Sequence, residues 1–317
     1  MQLFSTPRNP IPDGATVGVF KGYDGKNLRY ARWEPTVRVK QGTICVFTGY
    51  SEYIEKYFET VSDLRRRGFA VTVMDWRGHG ASYRSMNDLR KGHIDDFSEY
   101  ENDIQCFMRE IVLPNCPSPY NALAHSMGGH IVLRSISKAG TCFDRVVLLA
   151  PMVKIHSSIL VIPPKLIHAY CKVAKALGWG YNSLLSEPAS NTTRINFNSN
   201  GLTSCRERYL RNCILQEVTS SFTLGVPTIG WLNAALNSID KINSPEHFAK
   251  VRIPSLMFAA GMDNLVPCEA IEEYATNLKS STAIFLSKSR HEILQENDEI
   301  RAQFWTAFDA YFDVTKS

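Results

Sequence analysis

The chain reads as an α/β fold, a mostly parallel eight-stranded sheet flanked by helices and interrupted by a helical insertion. Two features carry that expectation. Short runs of apolar and β-branched residues alternate with longer amphipathic stretches along most of the 317 residues, as a sheet wrapped by helices on both faces requires. The alternation breaks between Ala150 and Val251 and then resumes.

Taken in order, strand-like runs fall at 16–20, 28–33 and 43–47, then 71–75, 122–124, 146–150, 255–260 and 283–286. Helical patterns fall at 54–67, 97–111, 129–138, 268–278 and 298–312. The first strands are joined by short turns and the later ones by helices, so an antiparallel start should feed a parallel sheet. The interrupting segment has helical stretches at 164–177, 205–217 and 229–237, separated by an Asn/Ser/Thr-rich stretch at 187–200. The expected organisation is a core built from 1–151 and 251–317 with an insertion at 152–250. With 44% apolar residues, such a chain can bury a core as a single catalytic unit.

The sequence Ala124-His125-Ser126-Met127-Gly128 follows a run, 120–123, that can form a buried strand, and it opens a helical run. A serine between small residues on a strand-to-helix turn is the pattern of a nucleophile elbow. Strand and helix backbones nearly touch at such a turn, so Ala124 and Gly128 give it room. The serine is forced into strained backbone geometry with its hydroxyl at a helix N-terminus, where dipole and free N–H groups favour negative charge. Two later strands supply partners. Asp263 follows the run ending at Ala260, and His291 follows the run ending at Leu286. The order Ser, Asp, His is the one this arrangement uses. His291 would act as general base on Ser126, with Asp263 holding the imidazole in the required tautomer.

A tetrahedral intermediate also needs two preorganised donors. The N–H of Met127, directly after the serine, is one. The Tyr50 N–H, in the turn after the 43–47 strand, is assigned as the other. His125 adjoins the serine and should point away from its hydroxyl, as a structural residue. His79 lies in a glycine-rich turn and reads as a brace for that loop. His93, His130, His156, His168 and His247 have no clear carboxylate partner in the sequence and read as surface or packing residues. No metal-ligand spacing and no cofactor motif is present.

The segments FTGYSEYIEK (47–56), DWRGHGAS (75–82), AHSMGG (124–129) and RHEIL (290–294), with GHIDDF (92–97) leading to Tyr100 and Asp103, resemble the α/β-hydrolase family of bacterial lysophospholipases and monoacylglycerol lipases. Its sequences are also labelled serine aminopeptidase-like. The resemblance runs from about residue 15 to the C-terminus. It implies the α/β-hydrolase fold, the triad Ser126, Asp263 and His291, and oxyanion donors at Tyr50 and Met127. It also makes 152–250 a helical cap over the site. Two positions depart from the pattern. Ala124 stands in place of the usual first glycine, and Thr48 where monoacylglycerol lipases usually carry a histidine. The implied activity is hydrolysis of carboxylic esters of monoacyl lipids, with lysophospholipid ahead of monoacylglycerol. A general carboxylesterase and a proline-type aminopeptidase are the alternatives.

Composition bears on partners. From 152 to 250 there are ten Lys/Arg against five Asp/Glu, a net of +5, while the whole chain is +4. The positive excess therefore lies in the insertion, Arg206, Arg208 and Arg211 included, and suggests peripheral contact with an anionic membrane surface. The apolar runs 159–164 and 224–227 are candidates to line an acyl tunnel, to touch a membrane or simply to pack on the core. No aromatic-basic module points to nucleic acid. The polar, proline-punctuated segment 1–14 has no signal-peptide character, no run reaches the ~20 apolar residues that span a bilayer, and the eight cysteines lack paired spacing. A cytosolic protein with free thiols is expected.

Overall fold

The computed structural model describes residues 2–156, 164–183 and 196–314. Eight strands form one sheet: β1 (Thr16–Lys21), β2 (Asn27–Trp33), β3 (Thr43–Phe47), β4 (Ala70–Met74), β5 (Tyr120–His125), β6 (Arg145–Leu149), β7 (Ser255–Ala260) and β8 (Ser281–Leu286). Their spatial order is β1-β2-β4-β3-β5-β6-β7-β8. The β1–β2 and β2–β4 pairs are antiparallel, and every pair from β4 to β8 is parallel, as the short early turns predict.

The helices are α1 (Phe58–Arg66), α2 (Ser98–Phe107), α3 (Leu113–Asn115), α4 (Met127–Ile136), α5 (Pro164–Ala176), α6 (Arg206–Val218), α7 (Ile229–Ile242), α8 (Pro245–Lys250), α9 (Cys268–Thr276) and α10 (Asp298–Tyr311). A 3-10 turn leads into α1, and a π-helical turn (Met108–Val112) joins α2 to α3. The strands' period of two sends alternate side chains to opposite faces. On β3, Cys45 and Phe47 enter the core beneath α2, α4, α7 and α9, while Ile44 and Val46 enter the core beneath α1 and α10. Central β3 and β4 are buried along their whole length, which is why they read as continuous apolar runs.

α4 starts at Met127, two residues earlier than the periodicity suggests, because Ser126 itself takes the N-cap position. α7 continues to Ile242, and α8 was not expected. Ser244 caps α8 by accepting from the His247 N–H, and Pro245 follows at its first position, a start signal present in the sequence. Residues 159–163 of one candidate tunnel run and 187–195 of the Asn/Ser/Thr-rich stretch lie outside the described residues.

Candidate active site

Because the crossing strands are parallel, their carboxyl ends converge on one edge of the sheet, where ligands of open α/β sheets bind. β5 ends at His125 and α4 begins at Met127, so Ser126 alone makes the turn, with φ 50° and ψ −114°. A serine at positive φ is strained, and hydrogen bonds hold it there. Its N–H donates to the Leu149 carbonyl (2.9 Å), and its own carbonyl accepts from the N–H groups of His130 and Met152 (3.0 Å each). The half-buried side chain makes no capping bond to the helix it precedes. The crowding expected at the turn is present. A Cβ at Gly128 would stand 2.5 Å from the carbonyl oxygens of Phe47 and Thr48, so α4 starts in direct contact with the end of β3.

Asp263 lies past β7 and His291 past β8, and the structure brings them together. His291 Nδ1 is 2.6 Å from Asp263 Oδ2, both side chains being almost fully buried. The other carboxylate oxygen accepts from the Leu265 N–H (2.7 Å) and the Val266 N–H (3.1 Å). Burial alone would raise the Asp263 carboxyl, but the His291 imidazole and these amides outweigh it and hold the group below its usual range. With Nδ1 turned to the Asp263 carboxylate, Nε2 is the other ring nitrogen of His291.

His125 is structural, as the sequence suggests, but its partners were not foreseen. Its Nδ1 is 3.0 Å from Glu52 Oε2, and its Nε2 is 3.2 Å from the His291 carbonyl. Glu52 also accepts from the Gly49 N–H, the Tyr57 hydroxyl (2.6 Å) and Lys56 Nζ (2.8 Å), and Lys56 reaches Glu292 at 2.6 Å. Burial would raise the Glu52 carboxyl, yet Lys56 and His125 hold it well below its ordinary value. Burial opposes a charged His125, and the Glu52 carboxylate raises its pKa regardless. With an anion on one nitrogen and a carbonyl on the other, both ring nitrogens donate. His125 is therefore an imidazolium that links the turn after β3 to the backbone of His291.

That turn carries Tyr50. Trp76 Nε1 donates to the Thr48 carbonyl (2.8 Å), Ser51 follows at φ 62°, and the Tyr50 ring packs edge-on against His79 (5.4 Å) and Trp231 (5.0 Å). Tyr50 and Met127 thus occupy the two segments that Gly128 brings into contact. His79 braces its loop through the Arg77 carbonyl (3.0 Å), and burial lowers its pKa to about 4. His93 and His168, read as lacking carboxylates, have Asp95 at 3.8 Å and Asp240 at 3.5 Å. Neither pair lies in the Asp263–His291 arrangement; His93 bonds Thr228 (2.8 Å) and His168 bonds Asn237 (2.9 Å).

The insertion is laced to this edge. Tyr50 donates its hydroxyl to the Gly225 carbonyl (3.1 Å), and Ser51 exchanges hydrogen bonds with Leu224. The 224–227 run therefore packs on the core, one of the roles open to it from sequence. Arg208 and Arg211 do not stand free. Arg208 pairs with Glu59 and Asp298, and Arg211 with Glu59, so only Arg206 of the three is exposed. Leu202 accepts from the Glu292 N–H, and Arg290 donates to the Asn200 and Thr203 carbonyls, which ties the His291 loop to the insertion.

A doubly faced, mostly parallel sheet with a strained serine after β5 defines an α/β-hydrolase. The family model described as serine aminopeptidase, S33 matches residues 38–298, and the chain belongs to that family. It is 26% identical over 304 residues to the lysophospholipase L2 of Escherichia coli K12, covering 93% of this chain and 86% of the relative. To the probable lysophospholipase L2 of Haemophilus influenzae it is 25% identical over 281 residues, covering 89% and 86%. A soluble variant of monoglyceride lipase from Saccharomyces cerevisiae, solved with a substrate analog, has the same fold, with a TM-score of 0.73 over 94% of this chain and 96% of that one at 16% identity.

Proposed function

We propose that the protein hydrolyses carboxylic esters of monoacyl lipids, lysophospholipid ahead of monoacylglycerol, through an acyl-enzyme on Ser126. The observation that carries the reading is the pairing of a strained, uncapped Ser126 with an Asp263–His291 hydrogen bond on the same sheet edge. His291 Nε2 takes the Ser126 proton as Oγ attacks the ester carbonyl. The Met127 and Tyr50 N–H groups hold the oxyanion, and His291 returns the proton to the departing alcohol. Water, deprotonated by the same nitrogen, then releases the fatty acid. No step needs a metal or cofactor. Residues 152–250 form the cap that selects the substrate.

The names of the full-length relatives support the lysophospholipid order. A matched panel tests it: lysophosphatidylcholine, monoacylglycerol, a short-chain p-nitrophenyl ester and a prolyl arylamide. Ser126-dependent turnover should be fastest on the lysolipid. Faster turnover of the short ester would make this a general esterase, and cleavage of the arylamide a peptidase.

A further inference from the structure

Ser126 keeps its positive φ with the help of two N–H groups, those of His130 and Met152, that donate to its carbonyl. The first belongs to α4 and is placed by the helix. The second belongs to the chain just past β6, which is neither strand nor helix there, and the His130 side chain holds it. The imidazole is fully buried, with Nδ1 2.8 Å from the Met152 carbonyl and Nε2 2.6 Å from Ser238 Oγ on α7. Phe97 packs edge-on against the ring at 5.2 Å.

The partners fix where the proton sits. A carbonyl only accepts, so Nδ1 carries the hydrogen. Arg134 Nη1 donates to the same Ser238 Oγ at 2.7 Å. Arg134 is paired in turn with the buried Glu101 carboxylate, which also takes Lys138 at 2.6 Å. Burial, aided by the Arg134 cation, outweighs the Met152 bond and pushes the His130 pKa down to about 3. The ring is therefore neutral, the reverse of His125, and its Nε2 lone pair accepts from the Ser238 hydroxyl. The hydrogen bonds then run in one direction, from Arg134 through Ser238, His130 and Met152 to the Ser126 carbonyl. Aligned buried chains of this kind reinforce one another and rigidify what they end on.

We propose that His130 is a positioning residue for Ser126: its Nδ1–H holds Met152, and through the Met152 N–H the strained turn, in the geometry for attack, while Ser238 fixes the ring. The proposal deepens the ester-hydrolase reading and rests on it. It gives the insertion a duty besides substrate choice, since Met152 is its first residue and Ser238 lies on α7. His130 touches neither the Ser126 hydroxyl nor the substrate; it acts through backbone, as supporting shells of reactive groups do.

The test uses two amides that each keep the place of one ring nitrogen. Asparagine sets its terminal group near Nδ1 and can donate to Met152; glutamine reaches toward Ser238 instead. On a water-soluble p-nitrophenyl ester, kcat should fall at least about ten-fold further in His130→Gln than in His130→Asn, with KM changed little in either. Relative to the amides of β3, the Met152 amide should exchange with solvent faster in His130→Gln than in His130→Asn. A histidine that merely filled space would lower the thermal midpoint of both without this split. Equal kcat in the two variants at equal thermal midpoints overturns the proposal. A second measurement needs no variant: nitrogen-15 NMR of the wild type should show His130 protonated at Nδ1, with no titration between about pH 5 and pH 9. A proton on Nε2 alone, or a ring that titrates in that range, overturns the proposal as well. A wild type that a fluorophosphonate probe fails to label at Ser126 counts against the enzymatic reading; the tautomer and the Met152 exchange require no turnover and judge the positioning by themselves.

Discussion

His125 shows how a side chain next to the assigned nucleophile can act on the reaction without touching it. Its two donors fix the His291 backbone to Glu52, so its removal strands a buried carboxylate whose remaining cationic partner is Lys56. His125→Gln should cost roughly 3 kcal/mol, and the loss should depend on pH. The folded pKa of His125 is raised, so its contribution is complete below the ordinary value of 6.5 and fades as pH rises through the raised value. The depressed Glu52 acts the other way, contributing above its ordinary 4.5 and losing that as pH falls through the folded value. Thermal midpoints of wild type and His125→Gln should therefore converge on the alkaline side; a gap that is constant with pH would disprove the imidazolium. Asp263→Asn keeps the shape but favours the wrong tautomer of His291, and should lower kcat by roughly 10⁴-fold with the fold intact. Unchanged kcat in that variant would remove Asp263 from the triad. The strained turn at Ser126 and the meeting of Asp263 with His291 were legible because a small-residue turn and residues just past strands leave a local mark. The Glu52–Lys56–Glu292–His125 cluster was not, because its members lie as far as 236 positions apart and nothing local announces the pairing.

At the scale of elements, packing decides what the strand-to-helix turn tolerates. Gly128 faces backbone carbonyls of the β3 end rather than flexible side chains, so neither neighbour can give way. Gly128→Ala should destabilise by about 1–3 kcal/mol and lower kcat more than it changes KM; a denaturation midpoint equal to that of wild type would show the contact to be looser. α6 is a latch of a different kind. Burial would raise the Glu59 carboxyl, but Arg208, Arg301 and Arg211 bring it down to about 2. Its contribution is present above 4.5 and disappears as pH falls toward 2, so α6 amides should lose hydrogen-exchange protection in acid before those of β3. Simultaneous loss would mean that the latch has no separate existence. The strands and most helices were readable from their periods of 2 and 3.6, with most ends displaced by a residue or two and a few, such as the end of α7 at Ile242, by four or five. The π turn after α2 carries no comparable signal.

On the scale of the whole molecule, the sheet separates two apolar cores, and the candidate site borders both: Met127 lies in one and Ile293 in the other. The described parts of the insertion are hydrogen-bonded to the turn after β3 and to the His291 loop, so in the proposed mechanism substrate selection and catalytic geometry share a frame. Its positive charge is divided between ion pairs that fasten it and lysines that face solvent, a division that a net charge of +5 conceals. Among the described residues no helix is long and apolar enough to cross a membrane. The central claim, a nucleophilic Ser126 served by His291 and Asp263, is tested most directly by intact-mass analysis after reaction with a fluorophosphonate ester probe. One adduct per chain is expected, mapped by peptide sequencing to Ser126, abolished by Ser126→Ala and accompanied by complete loss of ester hydrolysis. An adduct on another residue, or a pure Ser126→Ala protein that still hydrolyses its substrate at the wild-type rate, would contradict it.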